Sequence, residues 1–241
     1  MSGIATSSRV LVAIPAWNEE ATIGTVVGDI KRLYPSVDVL VVDDGSHDRT
    51  AGIARDTGAL LVQHPRNLGY TAAIQTGRSY AWERGYDVLV FADADGQHRP
   101  EDIGPIVGHI ISGRADQVRG SRERGGYQCR EPWHLRLPRY ICALLVSLKL
   151  RQAITDPTSG FKGETRAVTG FFKRVYETTS KIHRSNTNDI EEILIAHKNR
   201  FRVGEVPAHM LPRAVGSTRC YTPRQLLDFP LDLVNSFARN F

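Results

Sequence analysis

The sequence predicts an α/β fold with a mostly parallel sheet flanked by helices, and three observations predict it. Short apolar runs alternate with helix-like segments through the first half, as in successive βαβ units. Three of those runs close on conspicuously polar stretches, where open α/β sheets carry their ligands. At 241 residues and 41% hydrophobic, the chain can bury one full core.

Residues 9–14 (RVLVAI) read as a buried first strand, and Asn18 as the cap of a helix running to about Leu33. Residues 37–42 (VDVLVV) form a second strand, 50–57 a short helix, and 59–63 a third strand. A helix over 70–84 and a fourth strand over 87–92 (DVLVFA) complete the regular half. The second half is less regular. Residues 119–139, rich in Gly, Arg and Pro, read as a long loop, the kind that is usually functional or mobile. An apolar helix with basic ends follows over 139–150, then a helix over 187–199, a strand over 201–206 and a terminal amphipathic helix over 223–240. The 139–150 and 223–240 helices read first as core, because amphipathic helices usually face one. Dimerisation or an interfacial position on a bilayer is the alternative that their basic flanks keep open.

A net charge of +5 and a pI near 9.2 favour anionic partners, among which charge alone does not choose. No clustered basic helix or zinc-finger spacing points to nucleic acid. The three cysteines, Cys129, Cys142 and Cys220, are far apart and odd in number, which argues against a disulfide scaffold or zinc site and for a reducing compartment. No apolar run approaches the ~20 residues of a spanning helix, and residues 1–8 show no signal-peptide core. The expectation is a cytoplasmic protein, at most peripheral at the cytoplasmic membrane face.

The sharpest chemical feature is Asp93-Ala94-Asp95-Gly96-Gln97-His98, directly after the fourth strand. Two carboxylates at spacing two on a turn can aim at one hard cation. Mg²⁺ or Mn²⁺ is normally held by one or two carboxylates, with phosphate and water oxygens completing the shell. A solvated acidic turn, or Asp93 capping the helix after Pro100, is the plainer alternative. Asp43-Asp44-Gly45-Ser46 closes the second strand, where paired carboxylates ask for a partner such as a base edge or ribose hydroxyls. The alternative is an Asx-type turn, with Ser46 or Asp48 capping the next helix. In Pro15-Ala16-Trp17-Asn18-Glu19, Trp17 offers a stacking ring and Glu19 reach toward ribose, although a simple helix start with Trp17 in the core explains the segment equally. The chain has no G-x-x-x-x-G-K-[ST] loop, no G-x-G-x-x-G after a strand and no G-x-S-x-G elbow.

Together these strand ends resemble family 2 glycosyltransferases of the GT-A fold, in the branch of dolichyl- and polyprenyl-phosphate mannosyl and glucosyl synthases. PAWNE stands where that family has P-A-Y-N-E, VVDDGSHDRT for V-D-D-G-S-x-D-x-T, and DADGQHRPEDI for D-A-D-x-Q-H-x-P. Arg66-Asn67-Leu68-Gly69 matches its basic-N-x-G segment and Gly120-Ser121-Arg122 its G-[ST]-R. Asp156 to Lys162 (DPTSGFK) is similar to D-x-x-S-G-F-[RK], and Glu191 with Glu205-Val206-Pro207 to E…E-V-P. Arg213 to Arg219 (RAVGSTR) is similar to R-x-x-G-x-S-K.

The resemblance implies a single domain over 1–241, with a nucleotide-sugar-binding half (9–118), an acceptor-side half (119–222) and a closing helix (223–241). It implies a metal on Asp93, Asp95 and Gln97, with Mg²⁺ or Mn²⁺ as the ion. Pro15, Trp17, Glu19, Asp43, Asp44, Asn67, Asp93 and Ala94 then hold the donor, a GDP- or UDP-sugar, and Arg122, Arg213 and Arg219 surround its phosphates. The implied reaction is direct displacement with inversion onto a polyprenyl phosphate. A hydroxyl of a small molecule or glycan is the alternative acceptor and needs a general base. Asp189, Glu191 and Glu192 are the grouped candidates, with Asp189 and Glu192 on one helix face and Glu191 on another. Acids that merely favour a helix N-terminus are the plain reading of that group. A non-catalytic nucleotide-sugar-binding subunit is the remaining alternative. His98 reads as support for the acidic turn or the donor sugar, and His183 lacks a grouped partner.

Overall fold

The computed structural model describes residues 7–125, 133–178 and 188–213. The chain alternates β1 (Val10–Ala16), α1 (Ile23–Leu33), β2 (Asp38–Asp43), α2 (Thr50–Asp56), β3 (Leu60–Gln63), α3 (Tyr70–Glu83) and β4 (Val88–Phe91). A 3-10 turn, Pro100–Asp102, leads into α4 (Ile103–Ile111), β5 (Gln117–Ser121) and the single turn α5 (Arg122–Gly125). Then follow α6 (Trp133–Leu150), β6 (Lys162–Thr165), α7 (Arg166–Thr178), α8 (Asn188–Lys198) and β7 (Val203–Pro207). The seven strands form one sheet in the order β3-β2-β1-β4-β6-β5-β7.

β1, β2 and β4 are buried along almost their whole length because helices cover both faces. Alternate residues of β1 show the division. Val10, Val12 and Ile14 join Ile23, Val27 and Ile30 of α1 and Ile103 and Ile106 of α4. Leu11 and Ala13 join Ala73, Ile74 and Ala81 of α3. Each valine, leucine or isoleucine among them contributes about 1.5–3 kcal/mol when taken out of water. A second layer, built on Cys142, Val146 and Leu150 of α6, Val168 and Phe172 of α7, and Ile190 and Ile193 of α8, packs behind β7.

Several expectations shift. β1 runs on to Ala16. α1 begins at Ile23, with Thr22 and not Asn18 at its cap position. Asn18 instead turns the chain at φ 51°, its amide donating to Ser46 Oγ (2.9 Å) and its Oδ1 accepting the His47 amide (2.9 Å). The stretch 119–139 is not one loop. Arg119 to Ser121 finish β5, α5 follows, and α6 starts at Trp133, with Pro138 inside it. The division at 118/119 falls within β5, so one sheet runs through both halves. The 223–240 helix lies outside the described residues.

Candidate active site

β6 runs antiparallel to both β4 and β5, and β7 pairs parallel with β5. Every other strand therefore points the same way, and six carboxyl ends share one edge of the sheet with the start of β6. That edge carries Trp17 to Glu19 after β1, Asp44 to Ser46 after β2, the turn 93–98 after β4, Arg122 after β5 and residues 208–213 after β7.

At the first two ends, Pro15 is half-buried and Trp17 is 38% exposed, so its ring belongs to the surface of the edge and not to the core. Asp43 is fully buried. Its Oδ1 accepts the Ser46 amide (3.2 Å), while Oδ2 is buried with no hydrogen-bond partner, an orphaned acceptor of the kind that asks for a donor from a ligand. Asp44 has a different task from the one its motif suggested. Its Oδ1 meets His64 Nδ1 (2.7 Å) and the Leu68 amide (2.9 Å), and its Oδ2 accepts the Gly69 amide (2.8 Å). Both oxygens are thus committed to clamping the 64–69 loop, which presents the exposed Asn67. Gly45 makes this close approach feasible, because at φ +69° a Cβ there would lie 2.3 Å from the Arg66 carbonyl carbon. Asp48, not Ser46, accepts the amide that opens α2, through Oδ1 to Thr50 N (3.0 Å).

The acidic turn is built by its own backbone. Asp95 Oδ1 accepts the Gln97 amide (3.0 Å), Gly96 sits at φ 78°, and His98 Nδ1 accepts the Asp93 amide (3.1 Å). His98 stacks on Phe161 with centroids 4.7 Å apart, and burial pushes its pKa down to about 4, so it stays neutral with the proton on Nε2. Ala94 turns its methyl into the core, leaving only its backbone at the edge. Gln97 ties the turn to the strand after β7, its Nε2 donating to Leu211 O (3.1 Å) while the Leu211 amide donates to Gln97 O (2.9 Å). Asp93 lies beneath Tyr70, whose hydroxyl reaches its Oδ1 at 3.5 Å, and Gly160, where an added Cβ would meet Tyr70 Oη at 2.9 Å. Burial, then the charge of Asp189, pushes Asp93 up to about 6. Burial, then Asp93, raises Asp95. Beside the turn lies a mainly apolar cavity of about 260 Å³, lined by Thr22, Val26, Asp93, His98 and Phe161. It is below the usual range for a ligand pocket, roughly 300–1,000 Å³, so a large ligand would lie across the open strand ends.

Hard oxygen donors on one turn, each raised by burial and like charge, fit a divalent cation, which would relieve both penalties. Among the described residues no group of three or more His, Cys, Asp or Glu side chains forms a closed cage. The donor set is an open one, suited to an ion that shares its shell with substrate oxygens.

Cations frame this turn. Arg213 pairs with Glu19 Oε1 and approaches Asp95 Oδ2 at 3.5 Å, bridging the first and fourth strand ends. Arg122 is held as a fork on the buried Asp156 (Nε to Oδ2 2.6 Å, Nη2 to Oδ1 2.7 Å), and its charge reaches Asp93. Glu205 Oε1 in turn accepts the Asp156 amide (2.8 Å). Arg219 and His183 lie outside the described residues. On α8, Asp189 and Glu192 do share a face, and both turn onto buried cations. Asp189 Oδ1 takes Arg119 (2.6 Å) and Lys162 (2.9 Å). Glu192 takes Arg78 (2.9 Å), Arg119 (3.3 Å) and Lys162. Burial opposes ionisation of Glu192, but these three cations hold it far below the usual carboxylate range. Glu191 is fully buried within the same helix. Tyr70, Arg78, Arg119 and Lys162 were not singled out from the sequence. Lys162 alone carried a signal, as the last residue of DPTSGFK.

The family model for glycosyl transferase family 2 matches residues 11–198, from β1 through α8, which takes in six of the seven strands and leaves out β7. The chain belongs to glycosyltransferase family 2. A polyprenol monophosphomannose synthase of Mycolicibacterium smegmatis is 31% identical over 220 residues, covering 88% of this chain and 81% of that one. A UDP-N-acetylglucosamine–dolichyl-phosphate N-acetylglucosaminyltransferase of Methanococcus voltae is 28% identical over 218 residues, covering 82% and 84%. Among solved structures, glucosyl-3-phosphoglycerate synthase from Mycobacterium tuberculosis, in complex with Mn²⁺, UDP-glucose and phosphoglyceric acid, superposes with a TM-score of 0.68 at 20% identity, covering 95% and 80%. This family 2 glycosyltransferase therefore has the GT-A fold that its strand-end motifs imply. Among its described residues no helix is long and apolar enough to cross a membrane.

Proposed function

We propose that this enzyme transfers a sugar from a GDP- or UDP-sugar to a polyprenyl phosphate, with inversion, using Mg²⁺ or Mn²⁺ on Asp93 and Asp95. The observation that carries the reading is the meeting of Asp93, Asp95 and Arg213 at one sheet edge, two under-compensated carboxylates beside a cation that Glu19 also holds. When bound, the ion supplies Lewis-acid charge to the departing nucleoside diphosphate. The chain's own groups do the rest. Asp43 Oδ2 accepts a donor from the nucleoside, and Trp17 and Asn67 border the base and ribose. Arg213 leaves Asp95 for the diphosphate oxygens, which a guanidinium fits as a fork. Arg122, oriented by Asp156, adds positive charge that is already in place when the leaving group departs.

The acceptor reading rests on α8 and on the relatives. A hydroxyl acceptor needs a base, yet Glu192 is locked by three cations and Asp189 is shared between two. A phosphate oxygen is already anionic. It attacks the anomeric carbon directly as the bond from that carbon to the diphosphate oxygen breaks. Relatives named for polyprenol phosphomannose and dolichyl-phosphate chemistry point the same way. The test is a panel of nucleotide sugars scored by thermal shift with and without Mn²⁺, followed by transfer to a polyprenyl phosphate in detergent. A donor shift that needs the ion, with transfer to the lipid phosphate, is expected. Undiminished turnover in excess chelator would sink the metal assignment.

A further inference from the structure

We propose that the outward face of α6 is the surface on which this enzyme docks to an anionic lipid bilayer, an inference resting on the lipid-phosphate acceptor reading. α6 is apolar on two sides. Its inner side, Cys142, Val146 and Leu150, is buried against α7 and α8. Its outer side carries Leu137, Ile141, Leu144 and Leu148, at spacings of four, three and four that make one helical stripe, with Tyr140 and Leu145 beside it. Leu144 is 60% and Leu148 66% exposed. Among the described residues, the other exposed large apolar side chains are Leu60 and Ile111, each set singly, and Trp17, Leu68 and Tyr70 at the active-site edge of the sheet, and none of them forms a helical stripe. Singly exposed residues are ordinary, whereas a contiguous apolar stripe marks an interaction surface.

Charge selects the partner. Arg136 lies at one end of the stripe, Lys149 and Arg151 at the other, all exposed, and no Asp or Glu occurs from Trp133 to Leu150. A second copy laid along this stripe, parallel or antiparallel, would bring basic ends onto basic ends with no acid on the helix to offset them. An anionic lipid surface meets both features at once. Leucines enter the acyl boundary, Tyr140 sits at its edge, and the basic chains reach headgroup phosphates. The stripe is about 16 Å long at 1.5 Å per residue, too short to span, so the helix lies in the plane. Its position suits the acceptor. Glu123, the residue after Arg122, accepts from Arg139 (2.8 Å) and from the Tyr140 hydroxyl (2.9 Å), tying this helix to the edge where the sugar leaves.

The experiment is co-sedimentation with phosphatidylcholine vesicles, with and without phosphatidylglycerol, at low and high salt. The wild-type chain is expected to sediment with the anionic vesicles and to be released by salt. The double variant Leu144→Glu, Leu148→Glu should bind at least about tenfold more weakly, with its melting temperature and donor-induced shift unchanged, because both positions are exposed. Equal binding by the variant, or no binding by the wild type, would overturn the proposal. So would gel filtration showing a dimer that the variant splits, since a second copy would then cover the face. Transfer to polyprenyl phosphate in detergent is scored separately. Its failure alone removes the acceptor reading, while vesicle binding still decides the surface.

Discussion

The turn 93–98 and the ionic knot beneath α8 both press carboxylates into the protein, but they differ in what answers the charge. In the knot, Arg78, Arg119 and Lys162 surround Glu192, and its carboxyl is held far below the ordinary range. At the turn, Arg213 comes no nearer to Asp95 than 3.5 Å, burial and then Asp93 raise Asp95, and Asp93 rises to about 6. Asp189 belongs to both, paired to the knot's cations and adding its charge to Asp93. The knot is finished by the fold. The turn is left for a ligand to finish. The two pull stability in opposite directions with pH. The Glu192 contribution is complete above its unfolded pKa and is lost as acid drives pH below that value. At Asp93 the fold loses stability as pH rises from the ordinary carboxylate value through about 6.

The largest expected effect breaks the knot. Glu192→Gln leaves three buried cations short of a partner and should cost about 3–5 kcal/mol in urea unfolding; a loss below about 1 kcal/mol would mean that the knot is not what holds α8. Next comes the turn. A donor at a hundred times its dissociation constant stabilises by about 2.7 kcal/mol, and in Asp95→Asn the Mn²⁺-dependent part of that gain should vanish while urea stability without ligand is kept. A smaller effect follows from the raised Asp93. Protons compete with the ion below pH about 6, so Mn²⁺ affinity measured calorimetrically should fall roughly tenfold per pH unit there; a flat profile from neutrality to pH 5 would separate Asp93 from the metal. Smallest is Arg213→Ala. Removing that cation from Asp95 should tighten Mn²⁺ alone by about 1 kcal/mol, roughly fivefold, while weakening the nucleotide sugar. If both weaken together, Arg213 does not compete with the ion at Asp95.

By itself the sequence determined the β1-to-β4 half and the three polar strand ends, because strands buried on both faces read as plain apolar runs and the turns after them are local. It also determined that Asp189 and Glu192 share a face, which helical spacing alone dictates. Only the tertiary structure revealed β5 and β6, since QVRGS and KGET look like loop until distant Glu192 and Asp189 neutralise their Arg119 and Lys162, and Arg78 of α3 their Glu164. The same holds for Asp44, which the loop 64–69 claims, and for Gln97, which grips Leu211. It holds for α6 too, where an apolar run names no side and packing decides that Val146 goes in and Leu148 stays out. In each case the deciding partner lies far along the chain, and a buried charge or an exposed leucine acquires its meaning only from what is folded against it.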